Sequence, residues 1–208
     1  MEKRKVEHFL TLLTRNKGET TDLRDKINPR NSEFMVRCGE HNVKAESELY
    51  DSQETKVVAI RFHPDYDKKR VTYNLAILIT EENFVYQEHI GPVCLPSPEQ
   101  DFSGQTDCWS SGWGSNAYDA SGFFSDTLKK VQMPIVPKEP CQERFQGHER
   151  FKGKRFRLHK SWICVGGEKD SDTCKGDGGS PHVCFNDQNA YVQVQIISRN
   201  FYRQSLIV

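Results

Sequence analysis

The chain has 208 residues, enough to bury a substantial core as one domain or two small subdomains. Its 29 basic and 29 acidic residues give a formal net charge of +0, so no overall field draws it to nucleic acid or to an anionic membrane. No stretch approaches the ~20 apolar residues of a membrane helix. The charged start Met1-Glu-Lys-Arg-Lys-Val6 leads into an apolar run, Phe9 to Leu13, that is too short for a secretory signal.

In chain order, Val6, Phe9, Leu10 and Leu13 fall at i, i+3, i+4 and i+7, which predicts one apolar face of a helix. The polar stretch Asn16 to Ser32 has no strand period. From Phe34 onward, short apolar runs alternate with turn signals, the pattern of an all-β sandwich or barrel. Val58, Ile60 and Phe62 alternate with Ala59 and Arg61, predicting a strand with those three on one face. Turns are predicted at Asp101-Phe-Ser-Gly104, at Gly112-Trp-Gly114 and from Gly176 to Pro181. The run Arg150 to Arg157 is locally basic and reads as a solvated surface loop, with docking of an acidic partner or a polysaccharide as the rival. Val192, Val194 and Ile196 alternate with Gln193 and Gln195, a second half-buried strand.

Seven cysteines, none in a Cys-x-x-Cys pattern, suit an oxidised extracellular protein and argue against the cytoplasmic look of the first residues. No His/Asp/Glu group has metal-ligand spacing, so neither a metal nor another cofactor is expected. Trp109, Trp113 and Trp162 read as core or turn-packing residues without base-stacking spacing, so no nucleic-acid partner is expected.

The most informative segment is Asp172-Thr-Cys-Lys-Gly-Asp-Gly-Gly-Ser-Pro-His-Val-Cys184. It resembles the nucleophile loop of the chymotrypsin/trypsin-like serine proteases, normally Gly-Asp-Ser-Gly-Gly-Pro, with Gly178 in the serine's place. Other segments agree in order and spacing from about Phe34 to Ser198. They are Phe62-His-Pro64, Tyr73-Asn-Leu-Ala-Ile-Leu78, Pro92-Val-Cys-Leu-Pro96, Cys108-Trp-Ser-Ser-Gly-Trp-Gly114 and Ser161-Trp-Ile-Cys-Val-Gly-Gly167. Within that family, the Gly-Asp-Gly-Gly-Ser-Pro variant and Leu128-Lys-Lys-Val-Gln-Met-Pro-Ile-Val-Pro137 are most similar to the non-catalytic clip-domain serine protease homologues of arthropods.

The resemblance implies an all-β, trypsin-like double Greek-key β-barrel with its first barrel and its C-terminal end incomplete. Residues 1–33 form a non-matching N-terminal segment, 34–93 a partial first barrel, and 94–208 a second barrel lacking its last elements. It also implies a binding cofactor or regulator in an extracellular proteolytic or innate immune cascade such as prophenoloxidase activation. The partners would be proteins, either an active serine protease or a prophenoloxidase-type substrate. Two rivals stand beside it: a serine-type endopeptidase of trypsin-like specificity, and a partial gene product without function.

The triad mechanism needs a serine oxygen, an imidazole to take its proton, and a carboxylate to hold that imidazole. Gly178 removes the first, and Asn74 stands at the carboxylate's position. The family's Ala-Ala-His-Cys segment has no counterpart, so no catalytic residue is predicted. Ser180, His41 and His63 are poor substitutes, because a loop that presents one side chain beside an oxyanion site does not present its neighbour two residues on.

By resemblance, Gly176 and Gly178 retain the oxyanion-hole amides, and Asp177 matches the acid that pairs with a new amino terminus in active relatives. Asp172 matches the acid at the base of the pocket, while Ser198-Arg199-Asn200 replaces the usual Ser-Trp-Gly of its wall. Arg199 either crosses the cleft to neutralise Asp172 or points to solvent. Cys108 is expected to pair with Cys184, and Cys141 with Cys164. Cys174 and Cys94 match family cysteines whose partners lie outside this chain, and Cys38 is extra, which reads as truncation.

Overall fold

A computed structural model describes residues 34–45, 48–117, 121–151, 153, 155–168, 171–185, 190–195 and 205–207. The predicted helix face at Val6 to Leu13 lies outside these residues, as do Ser198 and Arg199.

The first sheet is antiparallel, with β1 (Met35–Cys38), β2 (Gln53–Phe62) and β3 (Ala76–Thr80) in that order. Its core is small: Val36, Phe84 and Ile90 are buried, with Cys38, Val57 and Leu78 packed against them. No residue of β3 is fully buried, so the described residues leave this sheet poorly covered. The strand expected around Val58 forms, but the facing assigned to Val58 is wrong. A bulge between Val57 and Ala59 inserts one extra residue opposite Thr80 and Ile79, and Val58 is 58% exposed. A bulge shifts the two-residue period by one, so the inward residue is Val57.

Three short strands, β4 (Cys108–Gly112), β5 (Lys129–Gln132) and β6 (Ile135–Val136), precede a helix, α1 (Lys138–Gly147). Then follow β7 (Ile163–Val165), β8 (Pro181–Phe185), β9 (Ala190–Gln195) and β10 (Ser205–Ile207). The strands form two sheets, ordered β5-β4-β8-β9 and β10-β7-β6. Cys108, Ile135, Val165 and Cys184 from these strands, with Phe102 and Met133 from the connecting segments, make the largest core. Beside it, α1 lays Cys141 and Phe145, one turn apart, onto Leu158 and Cys164. Nothing in the reading of the sequence anticipated α1, because the rest of its surface is polar or charged.

Two disulfides fasten this region. Cys108, at the start of β4, bonds to its cross-strand partner Cys184 on β8, and Cys141 on α1 bonds to Cys164 on β7. The first sheet is tied to the second unit where Val43 and Leu128 donate their amides to the carbonyls of Asp126 and His41, at 2.9 and 2.7 Å. Among the described residues the fold is therefore all-β with one α-helix, and its sheets stay open. No helix among these residues is long and apolar enough to cross a membrane.

Candidate functional site

The glycine loop from Cys174 to Ser180 lies just before β8 and is organised around one carboxylate. Asp177 accepts the Gly114 amide on Oδ1 and the Cys174 amide on Oδ2, each at 2.8 Å. The Asp177 amide returns to the Cys174 carbonyl at 3.1 Å, and the Ser180 amide to the Asp177 carbonyl at 3.0 Å. This closeness explains the Gly-Trp-Gly turn. A Cβ on Gly114 would land on the Asp177 carboxylate, and one on Gly112 would meet that carboxylate and the Ser180 hydroxyl. Burial pushes the Asp177 carboxyl upward, the amides of Cys174 and Gly114 oppose it, and nearby Asp172 adds to the rise.

Gly178 sits half-buried in this loop, at the position where the resemblance places a nucleophile, and glycine brings no side-chain atom there. Gly176 is held at φ +97°, a backbone conformation that L side chains rarely adopt. A Cβ there would lie 2.6 Å from Cε1 of Phe124, so the Phe124 ring packs directly against the backbone assigned to the oxyanion site. No feature of the sequence marked Phe124. Asp172 is half-buried and accepts the Thr173 amide at 2.8 Å. Asn74 lies in the first sheet's approach to β3, next to Tyr73.

The weighed substitutes have other roles. Ser180 is only 4% exposed. The carbonyl of His41 accepts the Trp113 indole at 3.2 Å. His63 stacks on Tyr73 with centroids 4.7 Å apart, and its Nδ1 accepts the Asp65 amide at 3.1 Å. The three tryptophans mostly serve packing and loop ties, with Trp162 donating to the Val71 carbonyl at 2.9 Å and Trp109 to Asp107 at 2.8 Å.

Among the described residues two serine–histidine pairs form, neither foreseen. Ser110 Oγ lies 2.8 Å from His182 Nδ1, and both residues are buried. Among the described residues His182 Nε2 has no hydrogen-bond partner, and burial lowers the imidazole to about 4, so it is neutral near pH 7. A pair sealed from solvent cannot meet a polypeptide substrate. The period-two rule puts His182 on the same face of β8 as Cys184, which is the signal that could have found it. The ligand atoms of Cys108, His182 and Cys184 lie within 4.8 Å of one another, but the two sulfurs are bonded to each other and offer no thiolate. The second pair is His159 Nδ1 with Ser161 Oγ at 2.9 Å, half-buried and part of a loop contact with Tyr73.

Three cysteines are free: Cys94 exposed, Cys38 partly buried, Cys174 buried. Burial pushes Cys38 up to about 11, and burial also raises Cys174, with Asp177 and Asp172 adding to it. At pH 8 only about one Cys38 thiol in a thousand would be ionised. Peptide mapping after brief iodoacetamide treatment is therefore expected to find Cys94 modified well before Cys38 or Cys174, and the reverse order would contradict this burial.

The trypsin family matches residues 27–201, slightly beyond the Phe34 to Ser198 span read from the motifs. Phenoloxidase-activating factor 2 of Galleria mellonella is 35% identical over 79% of this chain and 54% of its own length. Inactive CLIP domain-containing serine protease A8 of Anopheles gambiae is 37% identical over 79% of this chain and 44% of its own. Inactive CLIP domain-containing serine protease A28 of the same mosquito is 33% identical, covering 80% and 43%. The chain thus spans about half the length of these relatives. A family match over most of its residues and several relatives at this level of identity lead to one conclusion: the chain belongs to the trypsin family.

Proposed function

We propose that this protein is a non-catalytic serine protease homologue that works by binding, as a cofactor or regulator in an extracellular proteolytic cascade such as prophenoloxidase activation. The observation that carries this reading is Gly178, which leaves no oxygen to attack a carbonyl in a loop otherwise kept in order by Asp177. Asn74 at the carboxylate position and Phe124 packed on Gly176 support it further. So do the relatives, two named inactive and one named a phenoloxidase-activating factor. The partner in this reading is a protein, either the activating protease or its prophenoloxidase-type substrate.

A fluorophosphonate probe tests the chemistry, with trypsin as the positive control. No label is expected on the natural protein, nor on Gly178→Ser, since that variant still lacks a positioned imidazole and a carboxylate at residue 74. Labelling of the natural protein would overturn the reading in favour of a serine endopeptidase. The binding role is tested by adding the purified protein to an activating protease and prophenoloxidase. A rise in phenoloxidase activity is expected, and no change would remove the cofactor role.

A further inference from the structure

Overall neutrality conceals an uneven surface. Two segments far apart in sequence, Asp65–Tyr73 and Arg155–Trp162, are joined by three contacts. The Trp162 indole donates to the Val71 carbonyl at 2.9 Å, the Tyr73 amide donates to Ser161 Oγ at 3.0 Å, and the Tyr73 ring meets His159 edge-on at 5.4 Å. Phe156 stacks on Trp162 at 6.4 Å and so brings the stretch carrying Arg155 and Arg157 alongside.

The junction holds its shape at a cost. Val71 and Tyr73 sit at φ 58° and 50°, a region that a β-branched or bulky residue rarely enters. Surrounding contacts must fix such a backbone. Here they hold the two loops that carry the basic residues against each other.

Six exposed cations lie on these segments: Lys68, Lys69, Arg70, Arg155, Arg157 and Lys160. The acidic residues within the same two segments are Asp65 and Asp67. Asp67 is largely occupied, capping the Lys69 and Arg70 amides at 2.8 and 3.1 Å, with the Arg70 guanidinium 3.7 Å away. Lys160 stands 5.8 Å over the Tyr73 ring.

We propose that this two-loop surface binds a linear sulfated polysaccharide. A polyanion is held by releasing its condensed counterions, which needs several cations within one stretch of surface and little shape complementarity. A folded protein partner would need an aromatic or apolar anchor entering a pocket. The aromatics here are half-buried and already engaged: Tyr73 lies between His63 and His159, and Trp162 packs against Phe156. The same engagement removes the stacking platforms that a single-stranded nucleic acid would use. This surface shares no residue with the glycine loop, and its test reads binding rather than catalysis, so its outcome is distinguishable from that of the inactive-protease reading.

The test measures Kd for a heparin oligosaccharide against the full natural chain across a salt series. About four neutralised charges predict roughly 50-fold weaker binding between ~50 and ~200 mM salt. The double variants K68Q/K69Q and R155Q/R157Q are each expected to weaken binding on the order of tenfold. The charge-keeping R155K/R157K should bind nearly as well as the natural chain, which separates lost charge from lost folding. Lys129→Gln together with Lys138→Gln, exposed lysines on β5 and α1, should change nothing. Equal loss in that control, or no binding at the lowest salt, would overturn the proposal. Equal affinity for an acidic peptide or for DNA of matched charge would also overturn it.

Discussion

Replacing Cys108 and Cys184 together by alanine is expected to destabilise the protein by about 4–5 kcal/mol, lowering Tm by roughly 10–20 °C. The bridge closes a loop of 76 residues, and restricting so long an unfolded segment is where a cross-link helps most under the chain-entropy account. Location adds to the effect. Both cysteines are fully buried in the largest core, on directly paired residues of β4 and β8, so the variant also loses packed volume where the glycine loop enters its strand. The Cys141–Cys164 bridge spans 23 residues and is expected to contribute less, about 3 kcal/mol. Urea unfolding of both double variants measures this. A loss below about 1 kcal/mol for the first pair would mean that the core holds β4 on β8 without it.

The second large effect is a response to acid. The imidazole of His182 has its proton affinity lowered by burial to about 4, against an ordinary 6.5 in the unfolded chain. Between those values the unfolded chain takes up a proton that the folded chain refuses. Stability therefore falls as pH drops through this window, by at most ~1.4 kcal/mol per pH unit and about 3 kcal/mol in all.

Asp177 works in the opposite direction. Its folded carboxyl is raised by burial, so its own contribution becomes more favourable as pH falls toward its ordinary range. Comparison with a variant isolates the histidine. Ser110→Ala with His182→Leu removes both partners of the buried hydrogen bond, a change that can be nearly neutral at pH 7. It should flatten the pH 4–6.5 slope. His182→Leu alone leaves the Ser110 hydroxyl unmatched and should cost about 1–3 kcal/mol even at pH 7. An unchanged slope in the double variant would show that His182 is not the group taking up the proton.

What could be read in the amino acids depended on whether a feature is local. The loop around Gly178 and the Gly-Trp-Gly turn are short strings whose roles are backbone roles, and the structure explains Gly112 and Gly114 by the nearness of Asp177. Cys108 and Cys184 follow from the resemblance. Helix α1 escaped because two buried residues, Cys141 and Phe145, make too thin a stripe to stand out from its polar positions. The bulge in β2 escaped because period two carries no mark of an inserted residue, and Val58 was placed on the wrong face. Phe124 against Gly176, Ser110 with His182, and the joining of the Asp65–Tyr73 and Arg155–Trp162 loops are contacts across long stretches of chain. No periodicity reports them.

Asp177 has one more consequence. By resemblance, its counterpart in active proteases waits for an amino group that only proteolytic cutting liberates. Here both oxygens already hold amides of the same chain, from Gly114 and Cys174. Those two peptide groups brace the loop against the Gly-Trp-Gly turn, while a carboxylate with one bond on each oxygen keeps lone pairs for a further donor.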